Sequence, residues 1–285
     1  MSEDRIRTRL DGAAHTVGVI GWPVAHSLSP VIHNTAFIAL DLDWVYVPLA
    51  VPPGDLRDAL RGLSVLGFSG ANVTMPHKTE AAQLCDSLSE DAARLQAVNT
   101  IVVEPGRLVG HNTDTPGFDR FLRRDAGFDP AGAEALVFGA GGAGRSCALA
   151  LARAGLRKLH VAVRTPGRAD GLVAALDTIP TQISIVPFEE ARDLDVSLVV
   201  NATPIGAEGE VLPVPALHPG VLVVDLLYRP AATPLQAAAR AAGATTFGGL
   251  GLLLHQAALS FELWTGQVPP LERMSAAALA ELAES

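Results

Sequence analysis

The stretch Ala135-Leu-Val-Phe-Gly-Ala-Gly-Gly-Ala-Gly-Arg145 decides the fold. An apolar run short enough for a buried strand breaks into glycines and then enters a helical segment rich in alanine and leucine, which predicts strand, tight turn and helix in that order. Gly139, Gly141 and Gly144 fit G-x-G-x-x-G: the first allows the turn, the second lets the backbone approach a pyrophosphate, and the third lets helix sit close on strand. With Ala140, Gly142 and Ala143 they would offer N–H groups at a helix N-terminus to phosphate oxygens. The same glycines would also serve a connection that binds nothing, so the flanking sequence has to decide.

Leu159-His-Val-Ala-Val163 reads as the next parallel strand. Its end is where an NAD-binding protein places Asp or Glu against the ribose 2′-OH. Here the chain continues Arg164-Thr165 and reaches Arg168, which are donors suited to a 2′-phosphate, so NADP is the expected cofactor. Two arginines that merely solvate a loop are the plainer alternative.

With 285 residues the chain is long enough for two domains, each with its own core. Hydrophobic content of 49% against 18% charged residues excludes wholesale disorder, and no apolar run approaches a membrane span. The net charge of −9 argues against non-specific binding to nucleic acid or to acidic membranes. Met1–Leu10 has no apolar core of a signal peptide, and Cys85 and Cys147 are too few for a disulfide framework or a metal site, so a cytoplasmic, reducing setting without metal is expected. Cys147 reads as a small core residue.

Along the chain, Val17–Ile20 is a short buried-strand run, and His26-Ser-Leu-Ser-Pro30 opens a helix with Ser29 placed as N-cap and Pro30 at N1. Ser27 lacks such an explanation, and two hydroxyls beside a helix N-terminus suit a carboxylate. Trp44–Leu49, Asp55–Leu66 and Gly70–Val73 read as strand, helix and strand, an α/β pattern of its own ahead of the glycine turn. In Asn72-Val-Thr-Met-Pro-His-Lys78, Thr74 and Pro76 have the form of a cap and first turn, which puts the Lys78 cation against the helix dipole at a cost of roughly 0.3–1 kcal/mol unless an anion is near. A hairpin over Thr100–Val103 and Leu108–Val109 is followed by Gly110-His-Asn-Thr-Asp114 and a helix from Gly117 to Arg124, which Asp114 could cap; Asn99 and Asn112 could equally be turn residues. Asn201-Ala-Thr203 closes a strand at its carboxyl end, the ligand side of an open parallel sheet. Val221–Asp225, a helix Thr233–Ala242 and a strand Ala244–Phe247 lead to Gly248-Gly-Leu-Gly251 and a helix Leu252–Trp264 carrying Gln256. A further helix around Leu279 ends the chain.

These stretches resemble the shikimate dehydrogenase family in seven places and in the right order: His26–Pro30, Asn72–Lys78, Ala97–Thr100, Asn112–Asp114, Gly139–Gly144, Asn201–Pro204, and Gln256 onward to Gly266. The resemblance implies an N-terminal α/β substrate domain (1–113), a Rossmann-type doubly wound NADP-binding domain (114–248) and C-terminal helices (249–285) returning to the first. By the same resemblance Lys78 and Asp114 would be the catalytic pair, while Ser27 and Ser29 would bind the substrate carboxylate. Thr74, Asn99, Asp114 and Gln256 would hold hydroxyls, with Tyr228 lining the site. Thr203 and Gly249 would join the glycine turn, Arg164, Thr165 and Arg168 around the cofactor.

The implied reaction is reversible hydride transfer from NADPH to 3-dehydroshikimate, giving shikimate. Three positions depart from the family pattern: Val163 stands where Asn is usual, Ala207 and Leu252 where Met is usual, which puts the adenine-ribose contact and the nicotinamide pocket in question. Quinate or aminoshikimate dehydrogenases share the motifs, and a nucleotide-binding regulator without turnover is the non-enzyme alternative. The expected partner is a small-molecule substrate, with no nucleic acid and no membrane, and a homodimer is the assembly to test.

Overall fold

The computed structural model describes residues 11–284, the side chains of Pro166 and Arg168 excepted, so the expectation for Met1–Leu10 lies outside the described residues. Two compact units emerge: one holds the residues up to Thr113 together with those from Gln256 on, the other Asp114–His255.

The first unit alternates β1 (His15–Gly21), α1 (Ser29–Ala39), β2 (Trp44–Ala50), α2 (Leu56–Val65), β3 (Gly70–Val73) and α3 (Lys78–Leu84). A two-residue strand β4 (Ser87–Leu88), the short α4 (Glu90–Leu95) and the hairpin β5 (Thr100–Glu104) and β6 (Arg107–His111) follow. The sheet order is β2-β1-β3-β5-β6-β4, parallel across β2, β1 and β3 and antiparallel from β3 through β5 to β6. Central position explains the unbroken apolar run at Val17–Ile20, since a strand flanked by parallel neighbours is covered on both faces.

Two helix starts differ from expectation. Ser29 is the first residue of α1 rather than its N-cap, which is Leu28 without a side-chain cap; the hydroxyl that accepts from a backbone N–H is that of Ser27, 3.2 Å from Ser29 N. Likewise α3 begins at Lys78 with His77 as its cap, and Thr74 and Pro76 form the preceding turn, closed by His77 N donating to Thr74 O at 3.0 Å. The Met75–Pro76 peptide within that turn is cis. Lys78 nonetheless occupies the first turn of α3, as its position in the motif predicts.

The second unit contains α5 (Asp114–Arg124), β7 (Glu134–Phe138), α6 (Gly142–Arg153), β8 (Lys158–Val163), a 3-10 helix Pro166–Ala169, α7 (Asp170–Leu176) and β9 (Gln182–Pro187). After a second 3-10 helix, Phe188–Asp193, come β10 (Leu198–Asn201), β11 (Leu222–Asp225), α8 (Pro234–Ala241) and β12 (Thr245–Phe247). The helix α9 (Leu250–Thr265) crosses from one unit's residues to the other's, and α10 (Leu271–Glu284) lies on α1. All strands of this sheet are parallel, in the order β12-β11-β10-β7-β8-β9. That is the doubly wound order with its reversal between β7 and β10. Asp114 is the first residue of α5, so it does not cap a helix that starts at Gly117. Thr233 does cap α8, and with Gln236 it forms a reciprocal capping box.

Both cysteines are free thiols, and Cys147 is a core residue of α6. Among the described residues no helix is long and apolar enough to cross a membrane.

One buried group makes the first unit sensitive to acid. His33 of α1 is wholly buried, its ring parallel to that of Tyr46 with centroids 4.5 Å apart and Phe37, Phe261 and Trp264 around it. Neither ring nitrogen has a hydrogen-bond partner, and burial lowers the pKa from 6.5 to about 3. The unfolded chain therefore takes up a proton that the folded chain refuses. Stability present above pH 6.5 is lost as the pH falls towards 3, at about 1.4 kcal/mol per pH unit. His33→Phe keeps the ring and its stacking. Urea unfolding at about pH 7 and about pH 5 should show a smaller loss for the variant than for the parent; equal losses would mean that His33 does not carry the acid sensitivity.

Candidate functional site

In the first unit, the carboxyl ends of β1 and β3 and the entry to β5 carry the candidate residues. Ser29 is buried and its hydroxyl bonds to Tyr46, whose own O–H donates to Asn72 Oδ1 at 2.7 Å. Burial pushes the Tyr46 phenol up and the Ser29 bond opposes it, so this hydroxyl stays protonated and directional. Asn72 Nδ2 lies 3.0–3.1 Å from Asn99 O, Thr100 Oγ1 and Ser260 Oγ, and its two hydrogens are shared among these three acceptors. Asn99 in turn donates through Nδ2 to Thr113 Oγ1 and Gln256 Oε1, at 2.9 and 3.2 Å, while its Oδ1 accepts from Thr113 N at 2.7 Å. Ser260 Oγ donates to Gln256 O and meets the hydroxyls of Thr100 and Thr113. A connected set of neutral amides and hydroxyls thus runs from Ser29 to Gln256. Such a set can orient hydroxyl and carboxylate groups without burying a net charge of its own.

Sequence patterns bring Ser29, Asn99 and Gln256 to notice, quote Asn72, Thr100 and Thr113 within motifs without giving them a role, and miss Tyr46 and Ser260. Helix spacing offered a signal: Gln256, Ser260 and Trp264 recur every four residues on α9 and so share a face. Trp264 Nε1 donates to Ile101 O at 2.9 Å, and a Cβ at Gly70 would collide with that indole, which explains the glycine that opens β3.

Lys78 and Thr74 are fixed through their backbones. Thr74 N donates to Ile20 O at 2.8 Å, Trp22 N to Met75 O at 3.0 Å, and Val98 N to Lys78 O at 2.9 Å. His77, buried between these two candidates, adds a side-chain bond from Nε2 to Val51 O at 2.7 Å. The Lys78 loop is therefore tied to β1, to the end of β2 and to the segment entering β5. Asn112 Nδ2 donates to Ala97 O at 3.1 Å, and Asn99 N to His111 O at 3.0 Å, which fixes the loop up to Thr113 on that same segment. Asp114 follows by one peptide bond, buried at the start of α5.

In the second unit the glycine turn has the geometry its pattern requires. Gly139 has φ +96° and donates from its N–H to Ala162 O at 2.9 Å; a Cβ there would lie 2.8 Å from Thr203 Cγ2. At Gly144 a Cβ would strike the Gly139 carbonyl oxygen, so helix and turn touch only because Gly144 lacks a side chain. Gly141 differs. It is the exposed N-cap of α6, makes no side-chain cap, and a Cβ on it would meet no protein atom within 4 Å. Its missing side chain leaves the helix N-terminus open, and the N–H groups and positive dipole end found there are the features that attract an anion.

Arg164 and Thr165 are exposed just beyond β8, and Arg168 lies in the 3-10 helix Pro166–Ala169. Val163 is buried as the last residue of β8. Thr203 N and Oγ1 donate to Asn201 Oδ1, at 3.0 and 2.7 Å, which leaves the methyl facing the glycine turn. Gly249 is explained by packing, because a Cβ would collide with Leu226 O. Tyr228 is half-buried after β11, and burial raises its phenol.

A doubly wound sheet with a dinucleotide-type glycine turn, joined in sequence to an α/β unit rich in buried amides and hydroxyls, defines a class of two-unit nucleotide-binding proteins. Residues 19–101 match the family model described as the shikimate dehydrogenase substrate binding domain, and residues 249–279 that of the shikimate 5′-dehydrogenase C-terminal domain. The shikimate dehydrogenase (NADP(+)) of Rubrobacter xylanophilus is 47% identical over 93% of this chain and 96% of its own. A shikimate 5-dehydrogenase of Thermus thermophilus, solved in complex with NADP(H) and shikimate, is 40% identical with a TM-score of 0.83, covering 93% of this chain and 99% of its own. A quinate dehydrogenase of Corynebacterium glutamicum, solved with NAD, is 32% identical with a TM-score of 0.84, covering 94% and 99%. The chain belongs to the shikimate dehydrogenase family.

Proposed function

We propose that the chain is an NADP-dependent shikimate dehydrogenase that interconverts 3-dehydroshikimate and shikimate. The observation that carries this reading is the hydrogen-bonded set from Ser29 to Gln256, a buried neutral framework of the amides and hydroxyls that a small polyhydroxylated acid calls for, on a chain whose other unit has the dinucleotide-type sheet order. When bound, NADP supplies the hydride chemistry. Gly139, Ala140, Gly141, Gly142, Ala143 and Gly144 would hold its pyrophosphate, Arg164, Thr165 and Arg168 its 2′-phosphate, with Thr203 and Gly249 towards its other half.

Ser27 and Ser29 take the substrate carboxylate in this reading. Thr74, Asn99, Asp114 and Gln256 take its hydroxyls, and Tyr228 lines the site. Lys78 donates to the carbonyl oxygen as negative charge grows there, and returns to its starting state by taking a proton from solvent. Asp114 is its counter-charge, which keeps the ammonium protonated and aimed. Free thiols at Cys85 and Cys147 suit a reducing, cytoplasmic setting. Sedimentation would test a homodimer.

One spectrophotometric panel tests the assignment: shikimate and quinate, each with NADP and with NAD, followed by the appearance of reduced nicotinamide. Shikimate with NADP should be the fastest pair. A preference for quinate would move the chain to the quinate-oxidising branch, and no turnover with any pair would leave a nucleotide-binding protein without this activity.

A further inference from the structure

The loop that leaves β10 begins where the strand order of the second sheet reverses. There β10 pairs with β7, and Thr203 stands against the glycine turn. The arginines beyond β8 mark the side of the 2′-phosphate, so a dinucleotide spanning the turn directs its nicotinamide half over the β10 and β11 side. The first part of the loop is held from within the fold: Asn201 Nδ2 donates to Ile205 O at 2.9 Å and to Asp225 Oδ1 at 3.0 Å. Its second part is built of residues that hold little by themselves. Gly206 and Gly209 sit at φ +106° and +93°, and Ala207, Glu208 and Gly209 are exposed. Its two glycines make such a segment costlier in backbone entropy to order than one of equal length without them.

Glu210 offsets that cost. Its Oε2 accepts from Gly206 N at 3.0 Å and from Glu208 N at 3.2 Å, on both sides of Ala207. Its own backbone N–H, followed by those of Gly206 and Glu208, holds the carboxylate below its ordinary range. One ionised side chain thus collects three main-chain donors, and charge-assisted bonds of this kind are stronger than neutral ones.

We propose that Glu210 is a positioning residue, whose carboxylate presets the turn around Ala207 as a surface for the nicotinamide half of the cofactor. This rests on the reading of the second unit as NADP-binding. Without the carboxylate the turn would occupy this arrangement only part of the time, and the apparent dissociation constant would rise by the inverse of that fraction.

Glu210→Ala and Glu210→Gln in the full chain separate the possibilities, and both should fold because the side chain is exposed. Hydrogen exchange on the cofactor-free protein should be faster at the Gly206 and Glu208 amides in the alanine variant. NADPH titrated by its fluorescence should bind about 3- to 10-fold more weakly, with the glutamine variant recovering part because its amide oxygen still accepts. KM for NADPH should rise with it while KM for shikimate stays. Unchanged exchange would show that the carboxylate does not hold the turn; faster exchange with unchanged NADPH affinity would show that the turn is not a cofactor surface. If the parent protein itself fails to bind NADPH, the reading of the unit falls, whereas equal binding by parent and variant removes only the role of Glu210.

Discussion

Lys78→Ala should lower kcat by about 10²- to 10⁴-fold, with only a modest change in KM for shikimate. The carbonyl oxygen carries little charge in the ground state and much of it in the transition state, so a donor aimed at that atom contributes chiefly to kcat. Lys78 stands in the first turn of α3, where a cation opposes the helix dipole, and a counter-charge at Asp114 would offset that cost, so stability has to be measured beside the kinetics to separate loss of chemistry from loss of fold. The backbone bond from Val98 N to Lys78 O persists in the variant. Stopped-flow hydride transfer, with thermal unfolding of both proteins alongside, checks this; a variant with near-parent kcat would remove Lys78 from the chemistry. The companion Asp114→Asn keeps size and hydrogen bonding but deletes the counter-charge, and in the proposed pair it should reduce kcat in the same sense.

The nucleotide unit was legible because its signals are local. A turn at positive φ and a helix touching a carbonyl oxygen each demand glycine at one position, so Gly139 and Gly144 could be read directly from the chain. The strands around them are apolar runs between turn residues, and their order follows from the pattern of crossovers. Boundaries set by side-chain bonding were less legible. Ser-Leu-Ser-Pro has the form of a capped helix start, yet Tyr46 draws the Ser29 hydroxyl inward and leaves the turn to Ser27. No periodicity marks a strand of two residues or a helix of six, so β4 and α4 fall below what a sequence pattern can carry.

Least legible of all was the polar core of the first unit. Asn72 and Ser260 lie 188 positions apart and Asn99 and Gln256 lie 157 apart, and such pairs form only once α9 has returned to the sheet. Each residue alone has an ordinary local explanation as a turn or surface polar group. Burial changes that, because an amide removed from water must find partners inside, and the cost of leaving one unpaired is about 1–3 kcal/mol. The network is therefore a tertiary property. It links residues with a foreseen role to residues without one, and the amides of Asn72 and Asn99 are held by Tyr46, Thr100 and Thr113 as much as by their own backbones.

Arg164→Ala should weaken NADP by about 10- to 100-fold and leave NAD nearly unchanged. The difference between the two cofactors is one phosphate, so only an interaction with that group can discriminate. Position favours Arg164: β8 ends at a buried Val163, which contributes no polar group, and the next residue is an exposed arginine where an NAD-type protein has an acid. Exposure also fixes the salt dependence. A guanidinium in solvent is screened, so NADP affinity should fall as ionic strength rises while NAD affinity stays level, and the gap between parent and variant should narrow with it. Thr165 and Arg168 remain in the variant, which is why the loss stops short of abolishing the preference. Equal losses for both cofactors would mean that Arg164 shapes the turn beyond β8 and does not read the phosphate. Replacement by lysine separates the two contributions further: it keeps the charge but lacks the planar fork, so it should recover the salt-dependent part of the affinity and little of the rest.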